Sequence, residues 1–120
     1  LMDDRPHVQF VMGVKNAMPA EERLLDILLG ELRRVLPEAT WTAAGIGANQ
    51  SRVMEWVLAR GADGVRTGLE DNVRVSKDRL ASGNAELVRL AAEALSRHGR
   101  RPATPAEARR LLGLAPAGNA

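Results

Sequence analysis

Three short segments with the composition of β-strands recur along this chain at intervals of roughly 25 to 30 residues, with helical patterns between them. Residues 7–14 and 40–46 are runs of apolar or small side chains that end near glycine, and a third segment begins at Gly64. Parallel strands need a crossover of about a dozen residues or more, which is usually a helix. This rhythm therefore predicts parallel β/α crossover units.

Helix signals fill the intervals between these segments. Pro19 suits the first turn of a helix that continues to Leu36, and Pro37 stops it. Residues 73–83 form a polar connection with a turn at Ser76-Lys77-Asp78. A second helix is predicted with Asn49 or Ser51 as its cap and Gly61 as its stop, and a third with Asn84 as its cap and Gly99 as its stop. A last short helix begins at the capping box Thr104-Pro105-Ala106-Glu107.

The predicted element order is β-α-β-α-β-α-α. Three parallel strands with their helices on one side would leave the other face of the sheet and both of its edges uncovered. We therefore interpret residues 1–114 as the C-terminal part of a (β/α)8 TIM-barrel domain, with the last three β/α units and a C-terminal helix. Residues 115–120 are predicted to be a flexible tail. On this interpretation the polypeptide is cut at its N-terminal side.

The third predicted strand, residues 64–72, carries an unusual pattern of charge. If side chains alternate between the two faces, Arg66, Gly68 and Glu70 share one face. Strands of parallel α/β folds are covered on both faces, and buried charge is costly unless it is paired or ligated. Asp71 follows at the carboxyl end, where α/β folds bind ligands. The pattern favours a functional site over a packing layer.

Composition excludes several classes of function. The 120 residues include no cysteine, so disulfides, zinc–thiolate sites and thiol nucleophiles are excluded. The sequence has no apolar run long enough to cross a bilayer and no signal peptide, so we expect a cytoplasmic protein without a membrane partner. The formal charge is +2, and the arginines of residues 97–101 and 109–110 have no aromatic residues between them. We interpret them as solvated helix faces and expect no nucleic-acid partner.

Residues 65–72, Val-Arg-Thr-Gly-Leu-Glu-Asp-Asn, resemble a motif of the beta-keto acid cleavage enzyme family. The sequence and spacing of several pieces make the resemblance specific, and together they span nearly the whole chain. The other pieces are His7-Val8-Gln9-Phe10-Val11-Met12-Gly13-Val14, Trp41-Thr42 with Gly45-Ile46-Gly47, Leu80-Ala81-Ser82 with Asn84-Ala85-Glu86-Leu87-Val88, and Ala103-Thr104-Pro105-Ala106-Glu107-Ala108-Arg109.

The resemblance implies a zinc-dependent (β/α)8 barrel that condenses a beta-keto acid with acetyl-CoA and cleaves the product to acetoacetate and a new CoA thioester. It assigns Glu70 as a zinc ligand, Asp71 as the base that removes the acidic proton, and Arg66 as the residue that orients and supports this base. In the family a His-x-His pair on an early strand completes the zinc site. This sequence has only His7 and His98, which are far apart. Family members form homo-oligomers, so a dimer or tetramer is expected.

Each candidate residue also has a simpler interpretation. Glu70 and Asp71 could form an ordinary acidic turn, and Arg66 could be a structural partner of Glu70. Gly45 and Gly47 either let a substrate approach the backbone or form a tight turn. We interpret His7, His98 and Trp41 as structural residues. An alternative for the whole chain is a non-catalytic fragment or truncated relative that acts only as a binding or assembly piece.

Overall fold

The structure, a computed structural model, describes residues 5–70 and 72–118, which form a mixed α/β unit. The element bounds are, in chain order, β1 His7–Met12, α1 Glu22–Val35, β2 Thr40–Gly45, α2 Gln50–Ala59, β3 Gly64–Val65, β4 Arg74–Ser76, β5 Arg79–Leu80, α3 Asn84–Arg97 and α4 Pro105–Leu111. The first three strands form a parallel sheet in the order β1-β2-β3, and β4 and β5 form an antiparallel hairpin. Helices α1 and α2 provide the two crossovers between the parallel strands.

The parallel sheet keeps one register along its length. His7 pairs with Thr40, Met12 pairs with Gly45, and Thr42 pairs with Gly64. Neighbouring strands are consecutive in the chain with a helix between them, which is the β/α repeat predicted from the sequence. The parallel α/β class is therefore confirmed. Closure into a barrel stays a prediction, because the described sheet has three strands and two open edges.

One face of the sheet packs against α1 and α2. Met12 and Trp41 are 0% and 1% exposed, and they lie in one buried cluster with Leu25 of α1 and Val57 of α2. The ring of Phe10 lies 6.4 Å from that of Trp41, measured between centroids. Burying one large apolar side chain stabilises a fold by about 1.5–3 kcal/mol, so this cluster holds the strands and helices together. The interpretation of Trp41 as a core residue is confirmed.

The opposite face of the sheet is exposed along β1 in the described chain, whereas Ala44 on β2 is buried. On β1 the side chains of His7, Gln9 and Val11 are exposed, and they alternate with the more buried residues of the packed face. Their register partners on β2 are Thr40, Thr42 and Ala44, which share the same face. This arrangement agrees with the one-sided sheet expected from the order of the elements.

Several predicted helix ends are confirmed, because their signals are local. Gly61 and Gly99 follow α2 and α3 with φ of +72° and +68°, which favours glycine. Thr104 and Glu107 form both hydrogen bonds of the capping box at α4. The cap predicted at Asn84 is wrong. Asn84 is the first residue of α3, the N-cap position belongs to Gly83, and no side-chain cap hydrogen bond forms there.

The predicted third strand is too long. Only Gly64–Val65 pair with β2, and the chain then leaves the sheet. Gly68 has a φ of +151°, outside the range of ordinary strand residues. The predicted turn around Ser76-Lys77-Asp78 is present at Lys77 and Asp78, and it joins the two strands of the hairpin. The sequence had predicted a polar connection with this turn but not the two strands beside it.

The C-terminal arginines take part in contacts within the protein. Arg97 pairs with Glu55 of α2, Arg100 donates a hydrogen bond to the carbonyl oxygen of Ala62, and Arg101 pairs with Glu107. These contacts tie the end of α3 and the start of α4 to the rest of the unit. None of the helices in residues 5–70 and 72–118 has the length and apolar character that a bilayer span requires.

Candidate active site

The candidate site lies at the carboxyl ends of β2 and β3. A small cavity opens there between Gly45 and Ile46 at the end of β2, Gln50 at the start of α2, and residues 66–70 after β3. Its volume is about 30 Å³, room for no more than a few water molecules. These residues therefore form the floor of a site and not a complete substrate pocket.

Arg66 and Glu70 form an ion pair at this end of the sheet. The sequence predicted that they share a buried strand face, and this prediction is wrong for the described chain. The chain turns after Val65 and brings the two side chains together across four residues, with Arg66 39% and Glu70 68% exposed. The structure thus shows the pairing expected of a structural partnership. The catalytic and zinc-binding roles stay predictions.

Two amide side chains hold the segment between Arg66 and Glu70. The Gln50 side chain donates a hydrogen bond from Nε2 to the carbonyl oxygen of Gly68 at 3.2 Å and accepts one from Thr67 Oγ1 at 2.8 Å. Asn84 Oδ1 accepts a hydrogen bond from the backbone N–H of Leu69 at 2.7 Å. Neither residue was predicted from the sequence to support the site. The signal that could have found them is their position, because each is an amide at the start of the helix that follows a strand of the site.

Asp71, the predicted base, lies outside the described residues. The next residue, Asn72, is 8% exposed. Its side chain accepts a hydrogen bond from the N–H of Arg74 at 3.1 Å and donates one to the carbonyl oxygen of Arg74 at 2.7 Å. Asn72 therefore fixes the start of the hairpin directly after the predicted base.

The structure gives a packing reason for both glycines of the Gly45-Ile46-Gly47 loop. A Cβ on Gly45 would clash with the backbone carbonyl of Asn49, and it would also lie 2.8 Å from Cγ2 of Val53. Gly47 has a φ of +58°, which glycine adopts without strain. The tight-turn interpretation is therefore sufficient for both positions. Their predicted contact with substrate stays a prediction.

Comparison with known proteins decides the family. A family model described as beta-keto acid cleavage enzyme matches residues 1–114. The chain belongs to the beta-keto acid cleavage enzyme family. The resemblance found from the motifs is confirmed.

Individual relatives carry names that agree with this family. The chain is 50% identical over 113 residues to a 3-oxoadipate:acetyl-CoA acetyltransferase of Cupriavidus necator, a match covering 94% of the chain and 39% of the relative. It is 37% identical over 109 residues to a 3-keto-5-aminohexanoate cleavage enzyme of Fusobacterium nucleatum, covering 90% of the chain and 38% of the relative. A 3-dehydrocarnitine:acetyl-CoA trimethylamine transferase of Rhizobium meliloti is 32% identical, with 95% and 36% covered. The chain thus spans less than two fifths of the length of these relatives.

The two histidines of this member of the family lie away from the site. His7 is at the opposite end of the sheet, at the start of β1, where Nδ1 is 2.8 Å from Thr40 Oγ1 and Nε2 is 3.3 Å from Thr42 Oγ1. His98 follows α3 and its Nε2 lies 2.8 Å from Glu55 Oε2. This hydrogen bond, together with one from Arg97, lowers the pKa of Glu55 below its usual value. Both histidines therefore have structural contacts, as predicted.

The described residues do not form a zinc site by themselves. Within residues 5–70 and 72–118, no three His, Cys, Asp or Glu side chains cluster in a way that could hold a metal ion. Catalytic zinc sites usually have three protein ligands. Of the predicted ligands, the described chain brings only the Glu70 carboxylate to the carboxyl end of the sheet. Further ligands would have to come from residues outside those described.

Proposed function

We propose that the full-length protein containing this chain condenses a beta-keto acid with acetyl-CoA and cleaves the product to acetoacetate and a new CoA thioester. The observation that carries this proposal is the family match over residues 1–114. The 50% identity to a relative named as an acetyl-CoA acetyltransferase supports it further. The alternative of a non-catalytic binding or assembly piece is not better supported by these comparisons.

We infer a (β/α)8 barrel for the full-length protein. Support comes from the order of the parallel strands and from the uncovered sheet face that carries His7, Gln9 and Val11. A barrel would enclose this face and remove the open edges of the sheet. It would also bring other strands to the carboxyl end of β3, where residues 66–70 lie.

The proposed roles are those that the family motif assigns to Arg66, Glu70 and Asp71. Glu70 would supply one carboxylate ligand to a zinc ion completed by residues outside this chain. When bound, such an ion acts as a Lewis acid toward the oxygens of a beta-keto acid. Asp71 would remove the proton from C2 of the keto acid, and Arg66 would orient Asp71 and offset its negative charge. The ion pair between Arg66 and Glu70 keeps this guanidinium at the site.

The carbon skeleton accounts for the proposed products. C2 of the deprotonated keto acid attacks the thioester carbonyl carbon of acetyl-CoA, and the CoA thiolate leaves. The thiolate then attacks C3, the C2–C3 bond breaks, and the electron pair on C2 takes up a proton. C1 and C2 thus leave with the acetyl group as acetoacetate, and the rest of the keto acid leaves as a CoA thioester.

We propose 3-oxoadipate as the first keto acid to test, because the relative named for it is 50% identical over 113 residues. The relatives named for 3-keto-5-aminohexanoate and 3-dehydrocarnitine are 37% and 32% identical. The assay uses full-length protein and acetyl-CoA labelled with ¹³C in its methyl group. We expect labelled acetoacetate with the label at C4, seen by NMR. Acetoacetate without this label, or no product from any of the three keto acids, would contradict the proposal.

The Asp71→Asn variant tests the proposed base. Asn cannot take up the proton, so we expect kcat to fall by about 10²–10⁴-fold, the usual contribution of a general base. The zinc content of the purified variant, measured by elemental analysis, should match that of the wild type, because Asp71 is not a proposed ligand. Unchanged turnover would remove Asp71 from the mechanism.

A further inference from the structure

The segment between Arg66 and Glu70 lacks the usual support of a strand. Strand β3 ends at Val65, and its pairing with β2 extends only from Gly64 to Val65. Backbone polar groups that leave a sheet need other partners, and without them the segment would be poorly ordered. The geometry of the site therefore depends on what holds the three intervening residues, Thr67, Gly68 and Leu69.

Gln50 supports the first two of these residues. Both ends of its side-chain amide are used, with Nε2 on the carbonyl oxygen of Gly68 at 3.2 Å and Oε1 accepting from Thr67 Oγ1 at 2.8 Å. Gln50 is also the first residue of α2, whose buried residues Val53 and Val57 pack in the core. The position of Gln50 is therefore fixed by the body of the fold.

Asn84 supports the third residue from the other side. Its Oδ1 accepts the Leu69 N–H at 2.7 Å, and Asn84 begins α3, whose residues Leu87 and Ala91 are buried. The N-cap position belongs to Gly83, so the Asn84 side chain is not used to cap the helix. Gly68 lies next to the Asn84 side chain and has a φ of +151°. A Cβ on Gly68 would lie 3.4 Å from Asn84 Oδ1.

We propose that Gln50 and Asn84, which we term the amide clamp, are positioning residues that hold the ion pair of Arg66 and Glu70 in its working geometry. The clamp fixes the three residues between the two charged side chains, so both ends of the segment take their orientation from it. This inference rests on the proposed function, because the segment is catalytic only if that function is correct. Misplacing a catalytic group by about 1 Å can cost roughly 10²-fold in rate.

The first test removes each hydrogen bond while keeping side-chain size. In the full-length protein we expect Gln50→Met and Asn84→Leu to lower kcat by about 10- to 100-fold, with KM for acetyl-CoA changed by less than about threefold. Asn84→Asp keeps an acceptor for the Leu69 N–H and should restore kcat to within about threefold of the wild type. The matched controls Ser51→Ala and Ala85→Ser alter neighbouring exposed residues of the same two helices. They should leave kcat unchanged.

A second measurement does not depend on activity. Hydrogen–deuterium exchange, followed by mass spectrometry of the peptide containing residues 66–70, should be faster in Asn84→Leu than in the wild type and Asn84→Asp. Unchanged exchange overturns the clamp, and in an active protein so does an unchanged kcat in both Gln50→Met and Asn84→Leu. If the wild type acts on no beta-keto acid, the proposed function fails while the exchange comparison still decides whether the clamp holds this segment.

Discussion

Gly45 shows why a single glycine can be required without touching a ligand. The sequence left two interpretations open, a close approach of substrate or a tight turn. In the structure the space beside its Cα is filled by the backbone of Asn49 and by Val53. Because the close neighbour is backbone, it cannot swing aside as the end of a long side chain would. The requirement at this position comes from the junction of β2 with α2.

We therefore expect Gly45→Ala and Gly30→Ala to have opposite effects on stability. Overpacking at Gly45 should cost about 1–3 kcal/mol and lower the melting temperature. Gly30 lies within α1, and a Cβ there would meet no atom within 4 Å. Alanine should stabilise this helix by about 0.5–1 kcal/mol and raise the melting temperature. Thermal unfolding of the two variants beside the wild type checks both signs. Equal melting temperatures would refute the steric explanation.

The roles predicted for Arg66 and Glu70 stay predictions, whereas the structure explains why the residues that support them were missed. Arg66 and Glu70 belong to one short motif, so their proximity could be read locally. Asn84 was interpreted as a helix cap because a local rule sees only the helix that follows it. Its actual partner, Leu69, lies fifteen residues earlier in the chain. Contacts between residues that are distant in the sequence depend on the tertiary fold. The periodicity of side chains along one element carries no information about them.

At the scale of elements, helices were predicted better than the third strand. The signals of the helices are repeated apolar residues together with end residues such as Gly61 and the capping box at Thr104, all of which act over a few positions. Residues 64–70 alternate in polarity like a strand, but alternation does not require pairing. The positive φ of Gly68 and the two hydrogen bonds between Gln50 and residues 67 and 68 accompany the departure of the chain from the sheet after Val65.

The hairpin is tied to α3 by one carboxylate. Glu86, 8% exposed in its side chain, accepts hydrogen bonds from the N–H of Ser82 and from the Arg79 guanidinium, each at 2.7 Å. The Ser82 N–H and the Arg79 guanidinium together lower the pKa of Glu86 from its usual 4.5 to about 2. The charged form is thus favoured by folding. Its contribution to stability is present above pH 4.5 and is lost as the pH falls toward 2.

This linkage predicts a pH-dependent difference between the wild type and Glu86→Gln. The variant cannot ionise, so its melting temperature should lie well below that of the wild type at pH 7. The gap should shrink between pH 4.5 and pH 2, where the wild-type carboxylate takes up its proton. Melting curves recorded across this range test the prediction. A matched control is Glu93→Gln on the same helix. The Glu93 carboxylate lies 3.9 Å from Arg89 and is 51% exposed, so its replacement should change the melting temperature little at any pH. A constant gap at all pH values would show that ionisation of Glu86 does not stabilise the fold.

At the scale of the whole molecule, the sheet has a packed face and an uncovered face. The sequence predicted this asymmetry from element order alone, since both crossovers leave their helices on one side. The sequence could not predict which elements cover the other face, because the chain spans only 39% of the length of its Cupriavidus necator relative. In the proposed barrel, the remaining strands would enclose this face. They would also bring the other proposed zinc ligands close to Glu70.

A cysteine introduced into this chain is the only thiol within these 120 residues, and labelling it tests the proposed barrel. Gln9 lies in the middle of β1 on the uncovered face, and Lys77 lies in the exposed turn of the hairpin. In native full-length protein we expect Gln9→Cys to be protected from a maleimide reagent and Lys77→Cys to react. Both should react in urea, with peptide mass spectrometry identifying the modified residue. Rapid labelling of Gln9→Cys in the native state would exclude an enclosed barrel interior.

The amide clamp has a consequence for protein engineering. Transplanting residues 66–72 into another β/α scaffold would carry over the acidic and basic groups but leave behind the two helices that orient them. A recipient would need a glutamine-like donor and acceptor at the start of one neighbouring helix and an acceptor at the start of the other. The smallest portable unit is therefore a loop together with its two adjoining helix starts.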